Sequence, residues 1–348
     1  MMLPLYATRE EVKKRLDIKE TARSNAQIDD ALAAASRNVE GLTHRRFYPE
    51  IATRYFDWPR QYARPWRLWL DSNELISITT LMSGTQTIAA SDFFLRRSDD
   101  KDEPPYTLLE LDLDGPAAFG VSATMQRDIA VTGLFGYRND ETAAGTLAAA
   151  VSSTTATTVT VDGPASALLG VGSVLRVDSE RMIVTGRAQV TTGQTVLTPL
   201  TAAMNDETVQ VTTPAAYTEG EVLHVDSEDM LVTAVAAAVT VKRKWDGSSL
   251  AAHTGSTIYA PRVLTVARGA LGTTATTHLN AAPVYRLDPP GPVKALTVAL
   301  AMEQLLQEQA GYGRVPKTGG RAATVSPLDA LRNQVYDSHG RKGRVGAV

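Results

Sequence analysis

The chain has 348 residues, with 35 Lys and Arg against 38 Asp and Glu, for a formal net charge of −3. That balance excludes binding to nucleic acid through bulk positive charge, and the length allows about two domains, each able to bury a core. The composition, 43% hydrophobic and 21% charged, is that of an ordinary soluble globular protein, and the lack of cysteine excludes disulfide scaffolds, thiolate zinc sites, iron–sulfur clusters and cysteine nucleophiles. No apolar run approaches the roughly 18 residues of a membrane span. The start, Met1 to Tyr6, passes straight into charged residues without the apolar core of an export signal.

Residues 8–45 read as helical. Thr8-Arg9-Glu10-Glu11 has the spacing of a capping box, in which the hydroxyl and the carboxylate satisfy orphan N–H groups at a helix start, with Val12 and Leu16 on one face. Ser24-Asn25-Ala26-Gln27 repeats it and introduces Ile28, Ala31, Leu32, Ala35, Val39 and Leu42, a stripe spaced by threes and fours. Asp29 and Asp30 near the start and His44, Arg45 and Arg46 past the end complement the helix dipole.

The period then changes. Runs at 53–57, 67–70, 75–79, 93–95, 108–111 and 128–132 are short, β-rich and separated by Pro, Gly, Asn and Asp, which predicts a small antiparallel sheet. Trp58, Trp66 and Trp69 crowd its first strands and read as packing residues. From about Thr146 to Asp288 the composition shifts to Thr, Ala, Val and Gly, and an internal repeat appears. Gly172–Thr185 matches Gly220–Thr233, each with a Val-Asp-Ser-Glu turn. The stretch Val241 to Gly247, followed by His253 and Tyr259, matches Val266 to Gly272, followed by His278 and Tyr285. Repetition of a short β unit predicts one or two small barrels or sandwiches.

After Pro289-Pro290-Gly291-Pro292 helix returns: Ala295, Val298, Ala299, Met302, Leu305, Leu306 and Gln309 keep the three-four spacing, with Gly311 just past the end. Gly311 to Gly320 reads as a basic loop. Ser326-Pro327 then starts a helix carrying Leu328, Leu331 and Val335 that stops near Gly340. From Arg314 onward seven Lys and Arg stand against Asp329 and Asp337, a local net charge of +5. The fold class read from this pattern is α+β: a helical core body with a small antiparallel sheet, built from 1–145 and 289–348, and an inserted all-β repeat domain at 146–288.

Chemistry is sparse. The repeated pairs Asp178/Glu180 and Asp226/Glu228 read either as oxygen ligands for calcium or, preferred, as turns that bond to nearby backbone. His253 and His278 read either as a joint metal site or, preferred, as turn clamps. The segment Gly311 to Thr318 lacks the Gly-Lys dipeptide and carries Pro316 where a phosphate loop needs free N–H groups, and it follows a helix rather than a strand. No nucleophile elbow, His-Glu-x-x-His or Rossmann fingerprint occurs, so no enzyme, metal or cofactor is expected. The basic end reads as a solvated terminus or as a cluster that touches phosphates or an acidic partner.

The flanks carry a further pattern: Tyr6-Ala7-Thr8-Arg9-Glu10-Glu11-Val12 with Arg15-Leu16; Ser36-Arg37-Asn38-Val39-Glu40 leading to Thr43 and Arg46-Phe47-Tyr48-Pro49. Leu68-Trp69-Leu70-Asp71 with Glu74 to Ile78, Ser91 to Leu95, Ile129 to Tyr137 and the last two helices complete it. In order and spacing, over about 200 residues, this resembles the head-to-tail adaptor (connector) proteins of tailed bacteriophages, with the inserted repeats resembling β modules of phage structural proteins. The resemblance implies a virion neck protein assembled in the host cytoplasm. It implies a homo-oligomeric, dodecameric ring beneath the portal protein, continued by a stopper or tail-completion protein, through which DNA passes without sequence recognition, and no membrane partner. It also implies portal docking by the C-terminal helix and tail, through Leu328, Leu331, Val335, Tyr336, Arg341, Lys342 and Arg344. The competing expectation is a β-repeat protein that binds a carbohydrate or host surface, for which only Tyr217, Trp245, Tyr259 and Tyr285 are available to stack on sugars.

Overall fold

A computed structural model describes residues 3–15, 25–59, 64–97, 102–120, 122–309 and 327–341. Ser24, the loop 311–320, Ser326, Lys342 and Arg344 lie outside the described residues. Five α-helices occur among them: α1 (Arg9–Arg15), α2 (Asn25–Thr43), α3 (Gly163–Leu168), α4 (Gly291–Gln309) and α5 (Pro327–His339). The expected helical core body is not what forms. The protein is mostly β: the described residues form seventeen strands, and a ten-stranded antiparallel sheet is the largest element. The helices announce themselves through caps and spacing, whereas the dominant strands are built from Thr, Val and Ala with weak local signals.

Contacts divide the chain into two compact units, residues 1–39 with 141–335, and residues 40–140 with 336–348. In the first, the Thr8 capping box is closed: Thr8 Oγ1 accepts from Glu11 N (3.2 Å) and Glu11 Oε2 accepts from Thr8 N (3.1 Å). Ile28, Ala31, Leu32, Ala35 and Val39 of α2 are buried, and Ser36 Oγ accepts from Tyr6 N at 3.2 Å. Glu10 accepts from Val171 N (3.0 Å), Lys294 of α4 pairs with Glu11, and Arg9 pairs with Asp29, so α1 is tied to α2, to α4 and to the β repeats. In α4 the buried face runs through Val293, Leu296, Thr297, Ala301 and Leu305, while Leu306, expected inside, is exposed. The first half of α4 is apolar nearly all round, so its spacing alone leaves the inward face undetermined.

The β repeats join this unit as a nested pair. The first copy uses Glu141–Thr146, Thr158–Thr160, Val174–Val177, the first half of Glu180–Thr195, the second half of Thr257–Ala267, and Pro283–Leu287. The second uses the remaining half of Glu180–Thr195, then Thr208–Val209, Val222–Val225, Glu228–Val235, Val239–Trp245 and the first half of Thr257–Ala267. Registers coincide pair for pair: Val184 faces Val266 as Val232 faces Val241, Arg187 faces Leu264 as Val235 faces Val239, and Tyr285 faces Ala143 as Tyr259 faces Thr191. Ala148 N donates to Thr160 O (2.8 Å) and Leu197 N to Gln210 O (2.9 Å), so in each copy the first strand closes on the second. Two small antiparallel barrels result, each with its own interior: Leu175, Met182, Val184 and Leu264 in one, Leu223, Met230, Val232 and Val241 in the other. The second copy is continuous in sequence and sits inside the first, sharing its two longest strands.

The second unit holds the strands expected before residue 140, in two sheets rather than one. A four-stranded sheet (Glu50–Phe56, Ile129–Phe135, Leu75–Ser83, Gln86–Ile88) and a three-stranded one (Arg67–Trp69, Leu108–Leu111, Phe93–Arg96) enclose one core containing Leu70, Leu75, Leu109, Ile129 and Phe135. Trp58 and Trp66 pack against it half-buried, and Trp58 Nε1 donates to Asp128 Oδ2 at 2.6 Å.

Candidate functional site

The repeated acidic residues are where the two barrels concentrate their buried charge. In each copy a hairpin turns at Asp-Ser, with Asp178 (φ 51°) and Asp226 (φ 54°) in the left-handed region that short polar side chains tolerate. The glutamate two residues on opens the next strand and points inward, so Glu180 and Glu228 are completely buried. Across the barrel, Arg268 Nε and Nη2 donate to Glu180 at 2.7 and 2.8 Å, and Arg243 Nε and Nη2 donate to Glu228 at 2.8 and 2.7 Å. Both forks are bidentate, the geometry in which Arg binds carboxylate most strongly.

The remaining donors are also placed. Arg243 Nη1 reaches Thr201 O and Asp206 O (3.2 and 3.0 Å) and Nη2 reaches Ala251 O (2.6 Å). Arg268 makes the corresponding bonds to Ser153 O, Ala156 O and Thr276 O. All five N–H groups of each guanidinium are therefore used. Each glutamate further accepts two backbone N–H groups: Gly269 N and Thr276 N for Glu180 (both 2.9 Å), and Lys244 N and Ala251 N for Glu228 (2.8 and 3.0 Å). The turn after the arginine repeats too, with Lys244 at φ 54° where the first copy has Gly269 at 57°.

The histidines close each constellation. His278 bridges Glu180 Oε2 (2.9 Å) and Asp178 Oδ2 (2.8 Å), and His253 bridges Glu228 Oε2 (3.0 Å) and Asp226 Oδ2 (2.7 Å). Each ring nitrogen lies within hydrogen-bond distance of a carboxylate oxygen. Both rings are buried, while the two aspartates are about half exposed at 58% and 53%. The histidines are also backbone staples: His278 pairs with Val151 and His253 with Leu200 across isolated bridges. Burial alone would push the glutamate carboxyls up. The arginine fork, the backbone donors and the histidine outweigh it and hold both at about 2. Asp226 is likewise held below its ordinary value, chiefly by the hydrogen bonds from His253 and Ser256.

Sequence reading finds the repeated Asp, Glu and His but not the arginine as their centre. Arg243 and Arg268 recur in the matched segments, and their co-recurrence with Asp-Ser-Glu and His is the signal that marks them. The acidic pairs do not act as units, since in each copy the glutamate points into the barrel and the aspartate stays at the rim. His253 and His278 serve separate clamps rather than one shared site.

The docking candidates lie elsewhere. On α5, Leu328 and Leu331 are half-buried, Val335 is fully buried and Tyr336 is 41% exposed. Arg341 N donates to Thr43 O at 2.8 Å; Lys342 and Arg344 lie outside the described residues. In the unit holding residues 40–140, a cleft of about 500 Å³ is lined by Arg45, Arg46, Glu50, Arg54, Asn73 and Glu74. Its charges pair with each other, Arg45 with Glu74 and Arg46 and Arg54 with Glu50.

Comparison with family models, curated proteins and solved structures finds no match. Among the described residues no helix is long and apolar enough to cross a membrane, and no group of three His, Cys, Asp or Glu side chains has metal-binding geometry.

Proposed function

We propose that this chain is a non-catalytic structural subunit, a head-to-tail adaptor of a tailed-bacteriophage virion. In this reading identical copies form a ring beneath the portal protein in the virion neck. The ring extends the DNA channel and passes it on to a stopper or tail-completion protein. The observation that carries the reading is the order of the flanking segments, from Tyr6–Val12 through Arg46–Pro49 and Ile129–Tyr137 to the two last helices.

Two structural features support it. In each barrel the buried Arg–Glu–His cluster is held by its own members and by backbone, which suits a scaffold that holds shape. The last helix carries a mixed face, with Leu328 and Leu331 half-covered and Tyr336 exposed, which suits a segment that gains cover on docking.

Negative-stain microscopy of the purified chain, alone and with portal protein, is the test. A ring, or assembly only on portal, with loss of portal binding after deletion of 326–348, is the expected result. A monomer indifferent to portal, or a deletion variant of unchanged affinity, overturns the proposal.

A further inference from the structure

The end of α5 is held in a manner that invites titration. His339, the last helical residue, is half-buried between two rings, with centroids 6.1 Å from Phe47 (88°) and 5.7 Å from Tyr137 (90°), both edge-on. Tyr137 Oη lies 3.2 Å from His339 Nδ1. Arg45 Nη1 donates to the His339 carbonyl at 2.9 Å, Arg341 N donates to Thr43 O at 2.8 Å, and Gly340 N donates to Tyr336 O at 2.7 Å.

The charges around the ring are mainly positive. Arg45 stacks on Tyr137 at 5.0 Å and Arg138 at 5.8 Å. Arg45 is paired with Glu74 at 2.9 Å; Arg138 reaches Glu103 only at 3.9 Å. Arg97 and Arg341 act on Glu74, and the segment's own charges are Asp337 and Arg341. A helix C-terminus ordinarily favours a protonated histidine. Here the Arg45 guanidinium already occupies the last carbonyl, so a charged ring gains little from the dipole and meets two cations in an aromatic slot.

We propose that residues 336–341 form a pH-sensitive latch, seated while the His339 ring is neutral and released when it is protonated. Burial, with Arg45 and Arg138, holds the ring below the ordinary 6.5. The seated state therefore binds fewer protons than the released state. The latch is fully closed above about 6.5, weakens as pH falls through that value, and stops weakening below the seated ring's own pKa. Glu74 acts in the opposite sense: burial pushes its carboxyl up, so its protonation favours the seated state. This latch does not depend on the adaptor reading.

Hydrogen exchange of the full chain, corrected for intrinsic rates, tests it at Gly340 and Arg341, whose N–H groups make the closing bonds. Protection is expected to fall between pH 7.5 and 5, by no more than about tenfold per pH unit for one proton. His339→Gln is expected to abolish that fall, and Arg138→Gln, which leaves the histidine in place, to shrink it. Should His339→Gln fail to fold, Arg138→Gln and an NMR titration of His339 in the unaltered chain decide. A histidine titrating at or above 6.5, protection independent of pH, or an undiminished fall in either folded variant overturns the latch.

Discussion

Replacing Arg243 by Met removes a guanidinium that makes five hydrogen bonds, two of them to the buried carboxylate of Glu228. Met fills much of the arginine stem's volume, so the loss is chiefly electrostatic. Glu228 keeps Lys244 N, Ala251 N and His253, but three carbonyls, of Thr201, Asp206 and Ala251, lose a donor. Removing one partner of a buried ion pair costs about 3–5 kcal/mol, and urea unfolding of R243M read by tryptophan fluorescence is expected to show a loss of that order. Because Arg268 makes the same set of bonds to Glu180 and its surroundings, R268M is expected to lose a similar amount. The cycle R243M, E228L and R243M/E228L separates pairing from packing: the double variant is expected to be more stable than the sum of the single losses by about 1–3 kcal/mol. A loss below about 1 kcal/mol for R243M, or strict additivity in the cycle, refutes the claim that the fork holds the second barrel together.

Four further outcomes follow from the same structure. Glu180 and Glu228, held at about 2 against an ordinary 4.5, each contribute about 3 kcal/mol that is present above 4.5 and lost as pH falls towards 2; urea midpoints at pH 7, 4 and 2 measure it, and Glu228→Gln flattens the profile. Gly133→Ala places a Cβ 2.2 Å from Ser77 O in the four-stranded sheet and is expected to cost about 1–3 kcal/mol, seen as faster proteolysis of residues 40–140. Asp162 caps α3 through Ala165 N (2.9 Å) and also accepts from Thr146 N (2.8 Å), so Asp162→Ala is expected to cost about 1–2 kcal/mol in thermal unfolding. The second barrel is continuous in sequence and the first is not, so in pulse-labelled refolding Lys244 and Ala251 amides are expected to gain protection before Gly269 and Thr276; the reverse order contradicts the nesting argument.

Much of the local structure was legible in the residues. The Thr8–Glu11 box, the stripe of α2 and the early strand runs each rest on interactions between near neighbours, which spacing reports directly. The matched segments around Asp178 and Asp226 revealed a duplication. Its nesting did not show, because Glu180 meets Arg268 across the whole second copy, whereas Glu228 and Arg243 lie close in sequence. The mostly-β fold class is hidden for a related reason: barrel strands such as Val222–Val225 are four residues long and owe their burial to partners far along the chain. On α4 the expected Val298 and Leu305 are buried and Leu306 is exposed, because apolar residues surround the helix and only the neighbours decide which side is covered.

Residues 236–238 link two strands of the second barrel by a tight turn, Ala236 N donating to Ala238 O at 3.0 Å. At the corresponding point of the first barrel the chain departs into the entire second copy and returns on the neighbouring strand. An insertion whose entry and exit are adjacent leaves its host's strand pairing intact. Ala237 thus marks a socket at which the same operation can be repeated, lengthening the protein by a whole module at a time while its two ends stay where they are.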